Sequence, residues 1–206
     1  MYCLKFVEFN KNLLPSLRSI IFGGEAFPKK ELRGLFYKLG RKVSLYNVYG
    51  PSECTCICSN YKISSFDFKS KEINRYAPFG KKLIQNFKYI IWNNEKNREI
   101  EKKEIGELLI GGENVGLGYF NEPELNKKCF IQNPKHLQYN DIYYTSGDLV
   151  YKENGLIYFA GRKDDQIKFN GYRIELAEIE NAINSLKFVR QSIATFGKKN
   201  NKYQIT

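Results

Sequence analysis

The sequence predicts an α/β fold rich in short strands, giving way near Asp164 to the start of a smaller α+β unit. Three observations carry that expectation. Apolar runs of strand length recur between glycine, proline and asparagine punctuation. Helical spacing of apolar residues is confined to a few segments. The pattern changes after Arg162, where a polar crossing leads to a second hairpin and an amphipathic helix. With 206 residues, 42% hydrophobic and 15% aromatic, the chain can bury a core, which argues against disorder. No internal repeat or low-complexity stretch is present. The domain division expected is 1–163 and 164–206.

Leu17 to Phe22 reads as an apolar strand running into Gly23-Gly24, and Pro28 is placed to start a helix reaching about Leu39. Val43 to Asn47 is a second strand. Thr55 to Ile63 and Phe87 to Trp92 give two more, with turn composition from Asn93 to Asn97. Ile105 to Gly112 adds another, and Pro123 opens a short helix with Asn121 as its candidate cap. Asn154-Gly155, between Asp148–Glu153 and Leu156–Arg162, is the clearest hairpin signal. Beyond Asp164, Asn170-Gly171 marks a tight hairpin. Leu176, Ile179, Ala182, Ile183 and Leu186 then share one helical face behind an acidic first turn. Arg190 to Gly197 reads as a strand and Tyr203 to Thr206 as the beginning of another.

A net charge of +11 admits nucleic acid, an acidic membrane or an acidic protein as partner. The basic residues are scattered, however, and clusters such as Glu101–Glu104 and Gly197–Lys202 read as solvated turns. No nucleic-acid-binding motif occurs, so nucleic acid is not the expected partner. No apolar run approaches the ~18–20 residues that span a bilayer, and the first ten residues lack a signal peptide's pattern, which makes the cytoplasm the expected compartment. Cys54, Cys56 and Cys58 alternate, as they would on one face of a half-buried strand. Zinc sites favour two separated ligand pairs, and only Cys3, Cys129 and the single His136 are left to complete one. Reduced core cysteines are therefore expected.

The stretch from Asn47 to Glu53 is the candidate for chemistry. Gly50 and Pro51 suit a stiff turn that brings backbone amides close to a phosphate, and Ser52 can donate to a phosphate oxygen. Glu53 offers hard oxygen to magnesium, and Tyr49 offers a flat face to a base. Taken alone, the same five residues also fit an ordinary loop with a capping glutamate.

Four segments, NVYGPSE, GELLIGGENVGLGYFNEPELNKKCF, YYTSGDL and GRKDDQIKFNGYRIELAEIE, occur in the order and spacing of the acyl-adenylate-forming (AMP-binding) superfamily. That superfamily includes acyl-CoA synthetases and the adenylation domains of non-ribosomal peptide synthetases. The chain resembles its amino-acid-activating branch, above all the D-alanine–D-alanyl carrier protein ligases, through the long GRxDxQIKxxGYRxELxEIE pattern. The resemblance runs from Leu17 to the end. It implies that residues 1–163 form the C-terminal part of the large domain, with β-sheets, helices and a small β-barrel-like subdomain, and that 164–206 begin the small C-terminal domain.

The resemblance implies an ATP-dependent reaction in two halves. A carboxylate attacks the α-phosphate to give an acyl-adenylate and pyrophosphate, and a carrier protein's phosphopantetheine thiol then takes the acyl group. Both need charge stabilisation. By this resemblance Gly23, Gly24 and Glu25 flank the adenine, Tyr49 stacks on it, and Asn47 bonds its edge, with Val48, Gly50 and Pro51 in the same nucleotide loop. Ser52 meets the α-phosphate and Glu53 the Mg2+, the two catalytic assignments. Asp148 accepts both ribose hydroxyls, a task suited to an acceptor-only carboxylate; read without the family it is a turn aspartate. Arg162 approaches ribose or phosphates, and Asp164 is the hinge. Lys168 and Gly171 serve the thioester step; otherwise they are a surface charge and a turn residue. Gly23 and Cys56 line the amino-acid pocket, though Cys56 fits a core-facing strand position equally. The resemblance implies D-alanine or a similar amino acid as substrate, and the extra room left by Gly23, in place of a bulkier wall residue, leaves a substrate other than alanine open.

Three departures qualify the resemblance. The family's phosphate loop and the aspartate for the substrate ammonium would precede residue 1, and its catalytic lysine would follow residue 206. A smaller, additional departure is Thr145, which stands where the YRTGD-type motif has a basic residue. The expectation is a fragment of a longer ligase, inactive alone, with an acidic carrier protein as partner. A non-catalytic nucleotide-binding or carrier-docking module is the alternative.

Overall fold

The computed structural model describes residues 15–39, 42–69, 72–73, 75–101, 104–169, 172–199 and 202–206. The chain divides into two compact units, Met1–Lys163 and Asp164–Thr206. Gly171, the Asn170-Gly171 turn and Cys3 lie outside the described residues.

The first unit opens with β1 (Ser19–Gly23), α1 (Lys29–Leu39), β2 (Ser44–Tyr49) and β3 (Ser59–Lys62). β1 and β2 pair in parallel, Ser19 opposite Ser44 through Gly23 opposite Val48, and β3 adds antiparallel to β2. α1 is the crossover such a parallel pair requires. Pro28 precedes it, and its carbonyl accepts from Leu32 N at 3.3 Å, so the missing amide of proline costs nothing there. Leu32, Leu35 and Leu39 fall on one face and are buried with Leu45, Ile63 and Phe68. Each such leucine contributes roughly 1.5–3 kcal/mol on leaving water.

The second sheet is antiparallel. Its strands are β4 (Phe87–Asn93), β5 (Arg98–Glu99), β6 (Ile105–Gly112), β7 (Phe130–Gln132), β8 (Ile142–Glu153) and β9 (Leu156–Arg162). A short helix, α2 (Pro123–Cys129), precedes β7. The order is β5-β4-β6-β8-β7, with β9 also pairing β8, so the twelve-residue β8 uses its first half for β7 and its second for β9. Between those halves the ladder to β6 slips: Glu107 faces Leu149 but Leu109 faces Thr145. Ser146, Gly147 and Asp148 bulge there, and Gly147 takes φ +70°. A bulge re-aims side chains, which is how Asp148 leaves the ladder to β6 while still standing opposite Arg162 on β9. Leu108, Ile110, Val150 and Ile157 pack from this sheet against Tyr49, Cys54, Cys58 and Phe79. Sheets of this curled, mostly antiparallel kind, with few helices, make the mixed α/β architecture.

Several sequence expectations need correction. The cysteine run does not lie on a strand. Ser52–Cys54 is a 3-10 turn, Thr55 and Cys56 sit at φ +56° and +72°, and β3 starts only at Ser59. Cys54 and Cys58 are buried, whereas Cys56 is exposed. The cause is local, since Cys54 N and Cys56 N both bond Pro51 O and curl the chain before pairing begins. Asn121 does not cap α2: it takes φ +56°, and Glu122 occupies the cap position without a side-chain bond. In the second unit, β10 (Gln166–Phe169) pairs β11 (Tyr172–Glu175) and α3 spans Leu176–Asn184. β12 (Phe196–Lys199) begins six residues later than the strand expected from Arg190, and it pairs β13 (Lys202–Ile205). No described helix is long and apolar enough to cross a membrane.

Among the described residues, the Lys29 side chain is fully buried. Its ammonium lies 3.1 Å from Asp67 and 2.9 Å from Glu72, with the Tyr158 ring 5.3 Å away. Arg75 joins Glu72 to Glu153. Tyrosines around this network are held protonated. Burial, with the Glu72 charge beside it, pushes the Tyr158 phenol up to about 12, and burial also raises Tyr61 and Tyr151. A phenol raised on folding contributes stability that is complete below its ordinary value of 10.0 and is lost as pH climbs through the folded value. Alkaline unfolding is therefore expected between pH 10.0 and about 12. Phenolate absorbance and loss of circular dichroism should rise together. Phenolate appearing fully before any unfolding would contradict it.

Candidate functional site

Parallel strands present their carboxyl ends together, and open α/β sheets bind ligands there. The carboxyl ends of β1 and β2 carry Gly23-Gly24 and Tyr49-Gly50-Pro51-Ser52-Glu53. Gly23 is dictated by this pairing, since a Cβ on it would stand 2.4 Å from the Val48 carbonyl oxygen. It is thus a point of close strand approach, with Gly24 beyond it at φ +88° and exposed. Glu25 follows, half-buried.

Tyr49 is 7% exposed, and its phenol donates to Asp148 Oδ2 at 2.6 Å. The second Asp148 oxygen, Oδ1, accepts from Arg162 Nη1 at 2.8 Å, and the same guanidinium nitrogen bonds Ser146 O at 2.7 Å. Ser146 Oγ accepts from Asp148 N and donates to Leu108 O, which pins the bulge. Burial first, then the Asp148 charge, raises the Tyr49 phenol well above its ordinary value, so it stays a donor. Phe79 lies against the Tyr49 ring at 3.8 Å between centroids and 12° between planes. Asn47, also buried, donates through Nδ2 to Ala77 O and Pro78 O, leaving Oδ1 outside those bonds. Residues 49, 79, 146, 148 and 162 therefore form one hydrogen-bonded and stacked group, and Asn47 holds the two carbonyls that precede Phe79. Asp148 accepts from protein groups on both oxygens, yet each carboxylate oxygen can accept a second bond.

The turn after Tyr49 is separately anchored. Gly116 N bonds Glu53 O at 2.7 Å, Thr55 Oγ1 bonds Asn114 O at 2.9 Å, and Tyr119 donates its hydroxyl to Glu53 Oε1 at 2.5 Å. Ser52 is exposed beside it. Burial and that bond to Glu53 raise the Tyr119 phenol. Glu53 supplies one carboxylate, and no group of three His, Cys, Asp or Glu suited to a metal occurs among the described residues. One carboxylate is what magnesium commonly takes from a protein when phosphates supply the rest, so the residues fit that ion.

Phe79 and Tyr119 were not legible as site residues. Phe79 stands between Pro78 and Gly80, and Tyr119 follows Gly116 and Gly118 in a loop. Asp164 begins the second unit and accepts from Gln166 N at 3.3 Å, and Lys168 is exposed on β10. Thr145, where a basic residue was expected, turns its hydroxyl to the Lys128 and Cys129 carbonyls ending α2. A surface cavity of about 540 Å³, lined by Leu83, Ile84, Phe87 and Tyr89 among others, includes none of the site residues.

The sequence profile of the AMP-binding enzyme family matches residues 2–120. The chain belongs to the AMP-binding enzyme family. It is similar to the D-alanine–D-alanyl carrier protein ligase of Bacillus licheniformis, with 36% identity over 93% of this chain. The Bacillus cereus ligase of the same name is 30% identical over 98%. The chain spans 36% and 38% of the length of these two relatives. Among solved structures, the Vibrio cholerae adenylation domain AlmE, in complex with glycyl-adenosine-5′-phosphate, superposes with a TM-score of 0.73 at 27% identity. It covers 88% of this chain and 33% of AlmE. Holo-PA1221, a non-ribosomal peptide synthetase protein with adenylation and PCP domains, shares the fold at a TM-score of 0.82 and 24% identity. The match covers 99% of this chain and 34% of that one. These likenesses establish an adenylation-type fold for this member of the AMP-binding family.

Proposed function

We propose that this chain carries the adenosine and magnesium contacts of an ATP-dependent ligase. That ligase activates an amino acid, D-alanine or a similar one, as its aminoacyl-AMP and passes it to the phosphopantetheine thiol of an acidic carrier protein. The observation that carries the reading is the Tyr49–Asp148–Arg162 group, which couples an aromatic ring, a carboxylate and a guanidinium at the carboxyl end of a parallel strand. The identity to carrier protein ligases supports the substrate class.

In this reading adenine lies on the Tyr49 face away from Phe79, beside Gly23, Gly24 and Glu25, with Asn47 Oδ1 accepting from its amino group. Asp148 accepts the ribose hydroxyls with its remaining lone pairs, and Arg162 holds that carboxylate in place. Ser52 donates to the α-phosphate, and the Gly50-Pro51 turn presents it. Glu53 would hold Mg2+, which when bound neutralises phosphate charge. Cys56 is assigned to the amino-acid pocket, Asp164 to the hinge, and Lys168 with Gly171 to thioester formation. The remaining groups of the reaction are assigned to the length of the relatives that this chain does not span, and the cytoplasm is the proposed compartment.

The test is calorimetric titration of the chain with AMP and with ATP. Asp148→Ala and Tyr49→Ala are each expected to weaken binding about tenfold, the size of one hydrogen bond to a charged group or one base stack. Circular dichroism establishes that the variants fold. Unchanged affinity in both sinks the reading.

A further inference from the structure

We infer that Tyr119 is a positioning residue for the metal-ligand carboxylate, held in place by Asn126. The inference rests on the reading of Glu53 as the magnesium ligand.

Glu53 sits in a 3-10 turn of three residues, too short to fix a long side chain by its own packing. Glutamate carries three side-chain torsions, and a metal ligand has to hold them in one setting. The structure shows how that is done. Tyr119 Oη donates to Glu53 Oε1 at 2.5 Å, across 66 residues of sequence. A phenol on one carboxylate oxygen stops rotation of the group and so fixes the orientation in which the carboxylate meets a cation. The bond runs from a donor to an anion, the stronger class of hydrogen bond.

Tyr119 in turn is held by more than its ring contacts with Phe130. The Asn126 side chain mimics a peptide group across it: Tyr119 N donates to Asn126 Oδ1 at 2.6 Å, and Asn126 Nδ2 donates to Tyr119 O at 2.8 Å. Asn126 belongs to α2, where its own amide bonds Glu122 O. Gly118, at φ +137°, makes room for this clasp, because a Cβ there would lie 2.9 Å from Asn126 Cγ and Oδ1. The Gly116 and Thr55 bonds tie the two backbones beside it. A helix, an amide clasp, a phenol and a carboxylate thus form one chain of contacts ending at the proposed magnesium ligand.

The test compares ATP affinity in excess magnesium with ATP affinity in EDTA, by calorimetry, for the unsubstituted chain and three variants. In Tyr119→Phe, which keeps the ring and loses only the donor, the ratio of the two affinities is expected to fall about tenfold. Affinity in EDTA is expected to match the unsubstituted chain, because Tyr119 acts through Glu53 alone. Asn126→Ala is expected to give a smaller fall in the same ratio. An unchanged ratio in Tyr119→Phe overturns the inference, and so does an equal loss with and without magnesium, which is the signature of a merely structural tyrosine. Glu53→Gln separates the two failures. If that variant loses the magnesium effect while Tyr119→Phe keeps it, the inference fails alone. If Glu53→Gln keeps the full magnesium effect, the metal reading of Glu53 fails and takes the inference with it.

Discussion

Lys29→Ala is expected to destabilise the first unit by about 3 to 5 kcal/mol, the usual cost of stripping one partner from a buried ion pair. Asp67 and Glu72 both face Lys29, and the side chains of all three are at most 12% exposed. Without the ammonium, two carboxylates are left together in a buried site, with Tyr61 and Ser64 on Asp67 and Arg75 on Glu72 as partners. Urea denaturation should show a lower midpoint with an unchanged slope, the mark of lost stability rather than a changed unfolded state. Lys29→Met separates charge from packing, since it keeps most of the stem. It should remain strongly destabilising by itself and be largely rescued when combined with Asp67→Asn and Glu72→Gln, which leaves no charge to bury. Failure of that triple variant to recover would show that packing, and not uncompensated charge, is what Lys29 supplies. The consequence extends to the site. Lys29 N bonds Arg75 O, Ala77 N bonds Phe27 O, and the segment so held presents Ala77 and Pro78 to Asn47 and Phe79 to Tyr49.

Sequence patterns revealed most of the elements because they rest on local rules. The Ile105–Gly112 strand, the Asn154-Gly155 hairpin and the helix ending at Leu39 each follow from apolar periodicity bounded by turn residues. The cysteine run misled for a physical reason. Alternation in sequence implies a strand only where ladder bonds form, and here two amides turn back to Pro51 O first. The site was legible where a motif marks it and hidden where ordinary residues meet across distance. Asp148 and Tyr49 stand in recognisable motifs, although their direct bond across 99 residues does not follow from either motif. Phe79, Tyr119 and Lys29 are common residue types whose partners lie 30, 66 and 43 positions away, and nothing local distinguishes them. The sequence also left Asp148 as an open acceptor, whereas Tyr49 and Arg162 each occupy one of its oxygens.

Gly50→Ala is expected to cost about 3 kcal/mol, the upper end of the range for overpacking, and to abolish detectable nucleotide binding. An added Cβ would stand 2.3 Å from Cys56 O, 2.7 Å from Cys58 N and 2.8 Å from Cys56 C. All three are backbone atoms, so no side-chain rotation relieves the overlap. The loop from Pro51 to Cys58 folds back over Gly50 because Cys58 N bonds Tyr49 O at 2.8 Å and Cys56 N bonds Pro51 O. Moving that loop outward displaces Ser52 and Glu53 together and breaks the Gly116–Glu53 and Tyr119–Glu53 bonds. Gly24→Ala is the control. Nothing lies within 4 Å of its added Cβ, and the strain is confined to φ +88°, worth about 1 to 2 kcal/mol. If steric closure at Gly50 organises the turn, Gly50→Ala loses AMP and ATP affinity together while Gly24→Ala loses stability with a smaller change in binding. Equal binding loss in both variants would mean that backbone freedom alone, and not the close approach of Cys56 and Cys58, accounts for the glycine at position 50.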